Sequence, residues 1–143
     1  MEKKSFFEFE VSPFKQAALI LILAAIMMAF SEFLPKVPYS KSESYQAWVI
    51  MCGLTLFFAV GNCVLSLSVK NGNIYWLHSI ISYALILVIG GLMAWGFSGV
   101  TINDAGSVRW IYTVFTFGYL ILLSIVNLMK FLIKLAQRQD QNI

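Results

Sequence analysis

The segment AALILILAAIMMAF, residues 17–30, decides the fold class. None of its fourteen residues carries a polar side chain. A strand that crosses a membrane alternates apolar and polar residues over about ten positions, and this segment does not alternate. A membrane-spanning helix instead needs about 20 mostly apolar residues in succession. The surrounding apolar block, residues 14–34, meets that requirement, so the segment predicts a transmembrane helix.

The rest of the chain repeats this pattern. Hydrophobic residues make up 59% of the 143 residues, charged residues only 12%, and the mean hydropathy is +0.79. A soluble domain needs roughly 25% charged residues to cover its surface. Apolar blocks at residues 14–34, 45–69, 74–97 and 109–135 predict an all-α membrane protein with four transmembrane helices, arranged as an antiparallel up-down bundle.

Proline, glycine and polar residues separate the apolar blocks. Pro35 prevents continuation of the first helix, and residues 35–44 read as a loop. The polar run at 70–73 is short enough to join only antiparallel neighbours, which predicts a hairpin of the second and third spans. Residues 1–13 are predicted to be an interfacial segment and residues 136–143 a polar, frayed tail. A cleaved signal peptide ending near Ser31 is the alternative for the first block.

The basic residues predict an orientation. Cytoplasmic ends of membrane proteins carry an excess of Lys and Arg. In a four-span chain, the side that holds both termini has seven such residues: Lys3, Lys4, Lys15, Lys70, Lys130, Lys134 and Arg138. The other side has three, namely Lys36, Lys41 and Arg109. We therefore expect both termini in the cytoplasm, with the chain in a bacterial inner (plasma) membrane.

Small and polar residues inside the spans predict the helix-packing faces. On the second span, residues at steps of 3, 4, 3 and 4 form one stripe of the helix. Small residues let helix backbones approach in lipid, and polar side chains bond across the contact. The predicted interior comprises Cys52, Thr55, Ala59, Asn62 and Ser66, with Ser82, Gly90, Ala94, Thr116 and Asn127 from the later spans. Asn62 and Asn127 both fall in the cytoplasmic half, where they could pair.

Few residues are candidates for binding a ligand or lipid. The chain has a single histidine, so it cannot supply two axial ligands to a haem, and no carboxylate or cysteine cluster surrounds it. Cys52 and Cys63 are eleven residues apart in one span, about 16 Å along a helix, too far for a disulfide. His78, Trp76, Lys70 and Glu32 are the possible ligand or lipid contacts, and no metal or cofactor is predicted.

These observations favour a noncatalytic protein. The sequence has no Gly-x-Ser-x-Gly elbow, no phosphate-binding glycine loop and no Cys-x-x-Cys pair. Its basic residues sit at block ends rather than in a stripe with aromatics, which disfavours nucleic-acid binding. We expect an accessory or structural subunit that packs against other membrane subunits or copies of itself. The alternatives are a homo-oligomeric transporter or channel, and a quinone-, haem- or lipid-contacting subunit that uses His78.

Overall fold

A computed structural model describes residues 12–34, 46–69 and 72–142. Within these ranges the chain forms four helices and no strand: α1 (Pro13–Phe33), α2 (Gln46–Ser68), α3 (Gly72–Ser98) and α4 (Val108–Gln141). Each helix is long and apolar enough to cross a bilayer. The prediction of an all-α protein with four membrane-spanning helices is confirmed, and the chain is an integral, multi-pass membrane protein. Most of the predicted interfacial segment and first loop lies outside the described residues.

Local sequence explains where the helices begin and end. Pro13 occupies the first turn of α1, where its missing N–H costs nothing, and the Ser12 hydroxyl accepts a hydrogen bond from the Lys15 N–H at 3.4 Å. Gly99 follows α3 with φ +67°, and Gly106 precedes α4 with φ +61°. Such left-handed backbone favours glycine, so these two residues delimit the link between α3 and α4.

The last helix is longer than the sequence predicts. Residues 136–141, expected to be a frayed polar tail, continue α4 to Gln141. Ala136, Gln137 and Arg138 are good helix formers, and no glycine or proline interrupts the helix after residue 118, so polarity alone does not end it. With 34 residues, α4 is about 51 Å long, whereas the hydrocarbon core is about 30 Å thick.

The α2 and α3 helices form the centre of the bundle. They pack against each other, α1 packs against both, and α4 packs mainly on α2 with only a light contact to α3. At one end, the Trp48 indole N–H donates to the Val100 carbonyl oxygen at 3.0 Å. At the other end, Lys130 Nζ donates to the Val69 carbonyl oxygen, also at 3.0 Å. The second bond fixes where α4 passes the end of α2.

The Met51 side chain of α2 packs on a glycine of α3. A Cβ atom added at Gly90 would lie 2.6 Å from Met51 Sδ, closer than real Cβ contacts. Met51 is fully buried, as is Ala94 one turn further along α3. The small-residue spacing of Gly90 and Ala94 therefore lies on the face of α3 that packs inside the bundle, with the Met51 side chain seated on Gly90.

Candidate functional site

A polar cluster at one end of the bundle takes one side chain from each helix. Asn62 of α2 donates through Nδ2 to Gln16 Oε1 of α1 at 3.3 Å and to the Tyr75 hydroxyl of α3 at 3.4 Å. Gln16 Nε2 also donates to the Tyr75 hydroxyl, at 3.2 Å. The Tyr119 hydroxyl of α4 donates to Asn62 Oδ1 at 3.0 Å. We call these four residues the polar cluster.

Asn62 is the centre of the polar cluster. It is 0% exposed, and its amide nitrogen and oxygen both have partners. The Tyr119 hydroxyl has a second acceptor, the Ser79 carbonyl oxygen at 3.2 Å, so its single proton is shared between two sites. Since a buried amide without partners is costly, the arrangement fixes the rotation of four helices relative to one another.

An aromatic cluster adjoins the polar cluster. The rings of Tyr83 and Tyr119 stack with centroids 4.3 Å apart, and Phe58 lies 6.4 Å from Tyr119. The Tyr83 hydroxyl is within 3.3 Å of Thr116 Oγ1. All three rings are buried, so they fill the bundle interior about one turn from Asn62 along α2.

Most residues predicted for the interior are buried. On α2 these are Cys52, Thr55, Ala59, Asn62 and Ser66, and on α3 they are Ser82, Gly90 and Ala94. Thr116 and Asn127 of α4 are half-buried. The stripe on α2 thus faces other helices of this chain, so it is not available to a partner.

The pairing of Asn62 with Asn127 that the sequence allows does not form. The oxygen of Asn62 accepts its hydrogen bond from Tyr119, eight residues before Asn127 on α4. The stripe on α2 specified which face of that helix is interior, but the axial position of α4 depends on contacts such as that of Lys130 with Val69. That position brings Tyr119, rather than Asn127, level with Asn62.

The predicted ligand-contact residues that the structure describes, His78, Trp76 and Glu32, do not form one site. His78 is half-buried, with its ring centroid 5.2 Å from that of Phe14, and Trp76 is half-buried nearby on α3. Glu32 is exposed near the other end of α1, and Lys70 lies outside the described residues. Among the residues described, no group of three or more His, Cys, Asp or Glu side chains could hold a metal ion.

Sequence patterns did not single out three members of the polar cluster. Gln16 lies just inside the first apolar block, while Tyr75 and Tyr119 were assigned no interior role. A signal was present nonetheless: Tyr112 and Tyr119 are seven residues apart, and Tyr75 and Tyr83 are eight apart. Both spacings return a residue to the same helix face, so buried tyrosine hydroxyls mark the interior faces of α3 and α4.

A cleft lies between α3 and α4, beside the link at residues 99–107. Its volume is about 650 Å³. Trp48 and Tyr112, 3% and 7% exposed, form its floor, and mostly apolar residues, exposed or half-buried, form its walls. The walls are Leu87, Val88, Gly91, Leu92 and Trp95 of α3 and Thr113, Thr116 and Phe117 of α4, with Thr101, Ile102 and Arg109 at the loop end. We call this cavity the α3–α4 cleft.

The loop end of the α3–α4 cleft carries its charge. Arg109 Nη1 donates to Asn103 Oδ1 at 3.3 Å, and its guanidinium lies 5.8 Å from the Trp110 ring centroid. The nearby Asp104 carboxylate accepts from Thr101 Oγ1 at 2.7 Å. Among the residues that the structure describes, no carboxylate forms an ion pair with Arg109, so its guanidinium can still pair with an anion at the mouth of the cleft.

Comparison with known proteins gives no relative. No family model matches the chain, and neither does any curated protein or any solved structure. The fold and the two sites define a small, four-helix integral membrane protein with a hydrogen-bonded interior and a lateral cleft.

Proposed function

We propose that this protein is a noncatalytic accessory subunit that binds a larger membrane protein through the end of α4. The proposal rests on the exposure of residues 131–141, which we call the α4 extension. Every residue of the α4 extension is exposed, including Phe131, Leu132, Ile133 and Leu135, which are 51–61% exposed. Large apolar side chains grouped on a surface outside lipid indicate an interaction site.

The position of the α4 extension supports this interpretation. Lys130 Nζ bonds the carbonyl of Val69, the residue after the end of α2, so the extension begins where α2 has ended. Its eleven residues reach about 16 Å further. The α2 helix has 23 residues and is about 35 Å long, close to the thickness of the hydrocarbon core. The extension therefore leaves the hydrocarbon core: its apolar residues, 131–135, lie within about 8 Å of Lys130 at the headgroup layer, and residues 136–141 continue into water. Apolar side chains at the headgroup layer lack the contact that hydrocarbon provides, and a partner surface would supply it.

Charge indicates what kind of partner covers the α4 extension. Lys130, Lys134 and Arg138 recur at four-residue steps along one flank of the helix, and Phe131 and Leu135 share the adjacent flank. Copies of this chain in one membrane point the same way, so a second copy would bring the same basic flank against the first. Like charges oppose such a contact. The partner that fits is a different membrane protein with an apolar strip bordered by acidic residues.

The interior of the bundle is consistent with a supporting role. The polar cluster takes a hydrogen-bonding side chain from each helix, and the adjoining tyrosines fill the space beside it. The amides of Gln16 and Asn62 and the hydroxyls of Tyr75 and Tyr119 thus hold the helices together. A rigid bundle of this kind presents the α4 extension at a fixed height and angle, which favours a structural subunit over a transporter built from the same polar residues.

We also propose that the bundle is antiparallel, with both termini in the cytoplasm of a bacterial cell. The contact of Trp48, at the start of α2, with Val100, after the end of α3, supports antiparallel neighbours. The basic residues of the α4 extension support a cytoplasmic C-terminus, since the positive-inside rule places them there. The proposed location is the inner (plasma) membrane.

Copurification from native membranes tests the proposed function. The tagged protein, solubilised in mild detergent, should retain one defined membrane protein at a fixed ratio. Replacing Phe131 and Leu135 by glutamine should abolish that association, while the matched control, Gln137→Ala with Gln139→Ala on the same helix, should retain it. The proposal is wrong if the protein is strictly monomeric in native extracts, or if the glutamine pair leaves the association unchanged.

A further inference from the structure

The α3–α4 cleft has the dimensions and lining of a site for a single amphiphile. Its volume of about 650 Å³ lies in the range of small-molecule sites, which are mostly apolar with a few polar groups. Val88, Leu92 and Phe117 line it and are 58–64% exposed, so the cleft is open on its outer side. Because these residues belong to membrane-spanning helices, the cleft opens into lipid rather than water.

The polar groups of the α3–α4 cleft lie at its loop end. Arg109 and Thr101 are on that side, while Leu87 and Val88 are two to three turns deeper on α3. An occupant must therefore have an apolar body that runs along α3 and a head that meets a guanidinium. Arg109 has a neutral amide, Asn103, as its hydrogen-bond acceptor, and can add a bidentate contact to an oxyanion.

We propose that the α3–α4 cleft binds an anionic phospholipid of the surrounding bilayer, with one acyl chain in the cleft and the headgroup phosphate on Arg109. Zwitterionic phospholipids also carry a phosphate, but their headgroup cation is repelled by the guanidinium. The site therefore selects by headgroup charge. This inference is independent of the proposed function, since the cleft and the α4 extension lie at opposite ends of α4.

Trp48 provides a direct reporter of occupancy. It lines the α3–α4 cleft but is only 3% exposed, so bulk lipid chains have little access to it. A variant in which Trp76, Trp95 and Trp110 are changed to phenylalanine leaves Trp48 as the single tryptophan. Phospholipids with brominated acyl chains quench tryptophan fluorescence on contact, so quenching of Trp48 measures entry of a chain into the cleft.

The experiment compares two brominated lipids in phosphatidylcholine vesicles. Brominated phosphatidylglycerol, at a low mole fraction, should quench Trp48 at about fivefold lower concentration than brominated phosphatidylcholine, the preference expected from one basic residue at the headgroup level. Arg109→Gln should remove this preference, because the exposed side chain no longer carries charge, and Arg109→Lys should keep most of it.

A second pair of variants tests the location of the acyl chain. Gly91 lines the α3–α4 cleft, and a Cβ there meets no atom within 4 Å, so the side chain of Gly91→Leu would extend into the cleft. Gly96 is equally open, lies on the same helix and does not line the cleft, so Gly96→Leu is the matched control. Gly91→Leu should abolish quenching of Trp48, and Gly96→Leu should leave it unchanged.

Two outcomes overturn the inference. Absence of Trp48 quenching by either lipid means that no acyl chain enters the α3–α4 cleft, as when a partner helix covers it. Equal quenching by the two lipids, unaltered by Arg109→Gln, means that Arg109 does not select the headgroup. Arg109→Gln does not depend on the glycine variants, so it still tests headgroup selection if Gly91→Leu fails to fold.

Discussion

The hydroxyl of Tyr119 donates to the amide oxygen of Asn62 across the α2–α4 contact, at 3.0 Å, with the two side chains 1% and 0% exposed. The same amide bonds Gln16 of α1 and Tyr75 of α3, so a single asparagine side chain links all four helices. Hydrogen bonds in membranes contribute about 0.6 kcal/mol each on average. Their main effect here is to select one rotation and register of the bundle.

Replacement of Asn62 by leucine should lower the free energy of unfolding by about 1 kcal/mol, because several bonds of the polar cluster are lost at once. Asn127→Leu is the matched control. Because Asn127 is only half-buried, its replacement should lower the free energy of unfolding by less than about 0.3 kcal/mol. Reversible unfolding in mixed detergent micelles measures both. Equal losses for the two variants would show that Asn62 has no special role.

The hydroxyl and the ring of Tyr119 should make separate contributions to the free energy of unfolding. Tyr119→Phe keeps the stack on Tyr83 and removes only the hydrogen bonds, so we expect a loss of about 0.5–1.5 kcal/mol. Tyr119→Ala also removes the buried ring and should cost about 3 kcal/mol or more. In a double-mutant cycle, Tyr119→Phe and Asn62→Leu should cost less together than the sum of the single losses. Strict additivity would contradict a direct bond.

The two adjacent glycines of α3 should respond differently to replacement by alanine. At Gly90 the new Cβ meets the end of the Met51 side chain, which is flexible but fully buried, so Gly90→Ala should destabilise the bundle by about 1 kcal/mol. Gly91 has open space, so Gly91→Ala should be neutral or stabilising by up to about 1 kcal/mol, since alanine favours helix. Shortening Met51 to alanine should reduce the cost at Gly90. Thermal unfolding in detergent distinguishes these outcomes.

Gly99 should be sensitive for a different reason. Its φ of +67° is unfavourable for residues with a Cβ, although a Cβ there meets no neighbouring atom. Gly99→Ala should therefore cost about 1 kcal/mol through backbone strain alone, and Gly99→Asn less, because asparagine tolerates the left-handed region. A larger loss for asparagine than for alanine, in the same unfolding assay, would contradict this explanation.

The sequence was sufficient to predict the helices because membrane spans require continuous apolar blocks, and the steps of 3 and 4 on α2 were sufficient to predict its interior face. The partner of Asn62 was not predictable in the same way. A stripe gives the rotation of one helix, whereas the residue opposite depends on the axial offset between helices. That offset arises from tertiary contacts such as Lys130 with Val69.

The α4 extension and the α3–α4 cleft also could not be predicted from sequence patterns. Residues 136–141 are polar, which suggested a frayed tail, but helix formers without a breaker continue a helix that is already nucleated. The cleft lies between α3 and α4, which make only a light contact with each other. Its lining residues, such as Leu92 and Phe117, look like ordinary lipid-facing positions in the sequence.

The measurement that tests the central claim most directly is a map of cysteine accessibility across the membrane. Cys52 and Cys63 are buried and free, so both are first replaced by alanine, and single cysteines are introduced at Asn73, Asn103 and Asn142. With four crossings, an impermeant maleimide added to intact cells should label Asn103→Cys only, and should label Asn73→Cys and Asn142→Cys after permeabilisation. Labelling of Asn103→Cys and Asn142→Cys from the same side would contradict a membrane-spanning α4 and, with it, the four-helix arrangement.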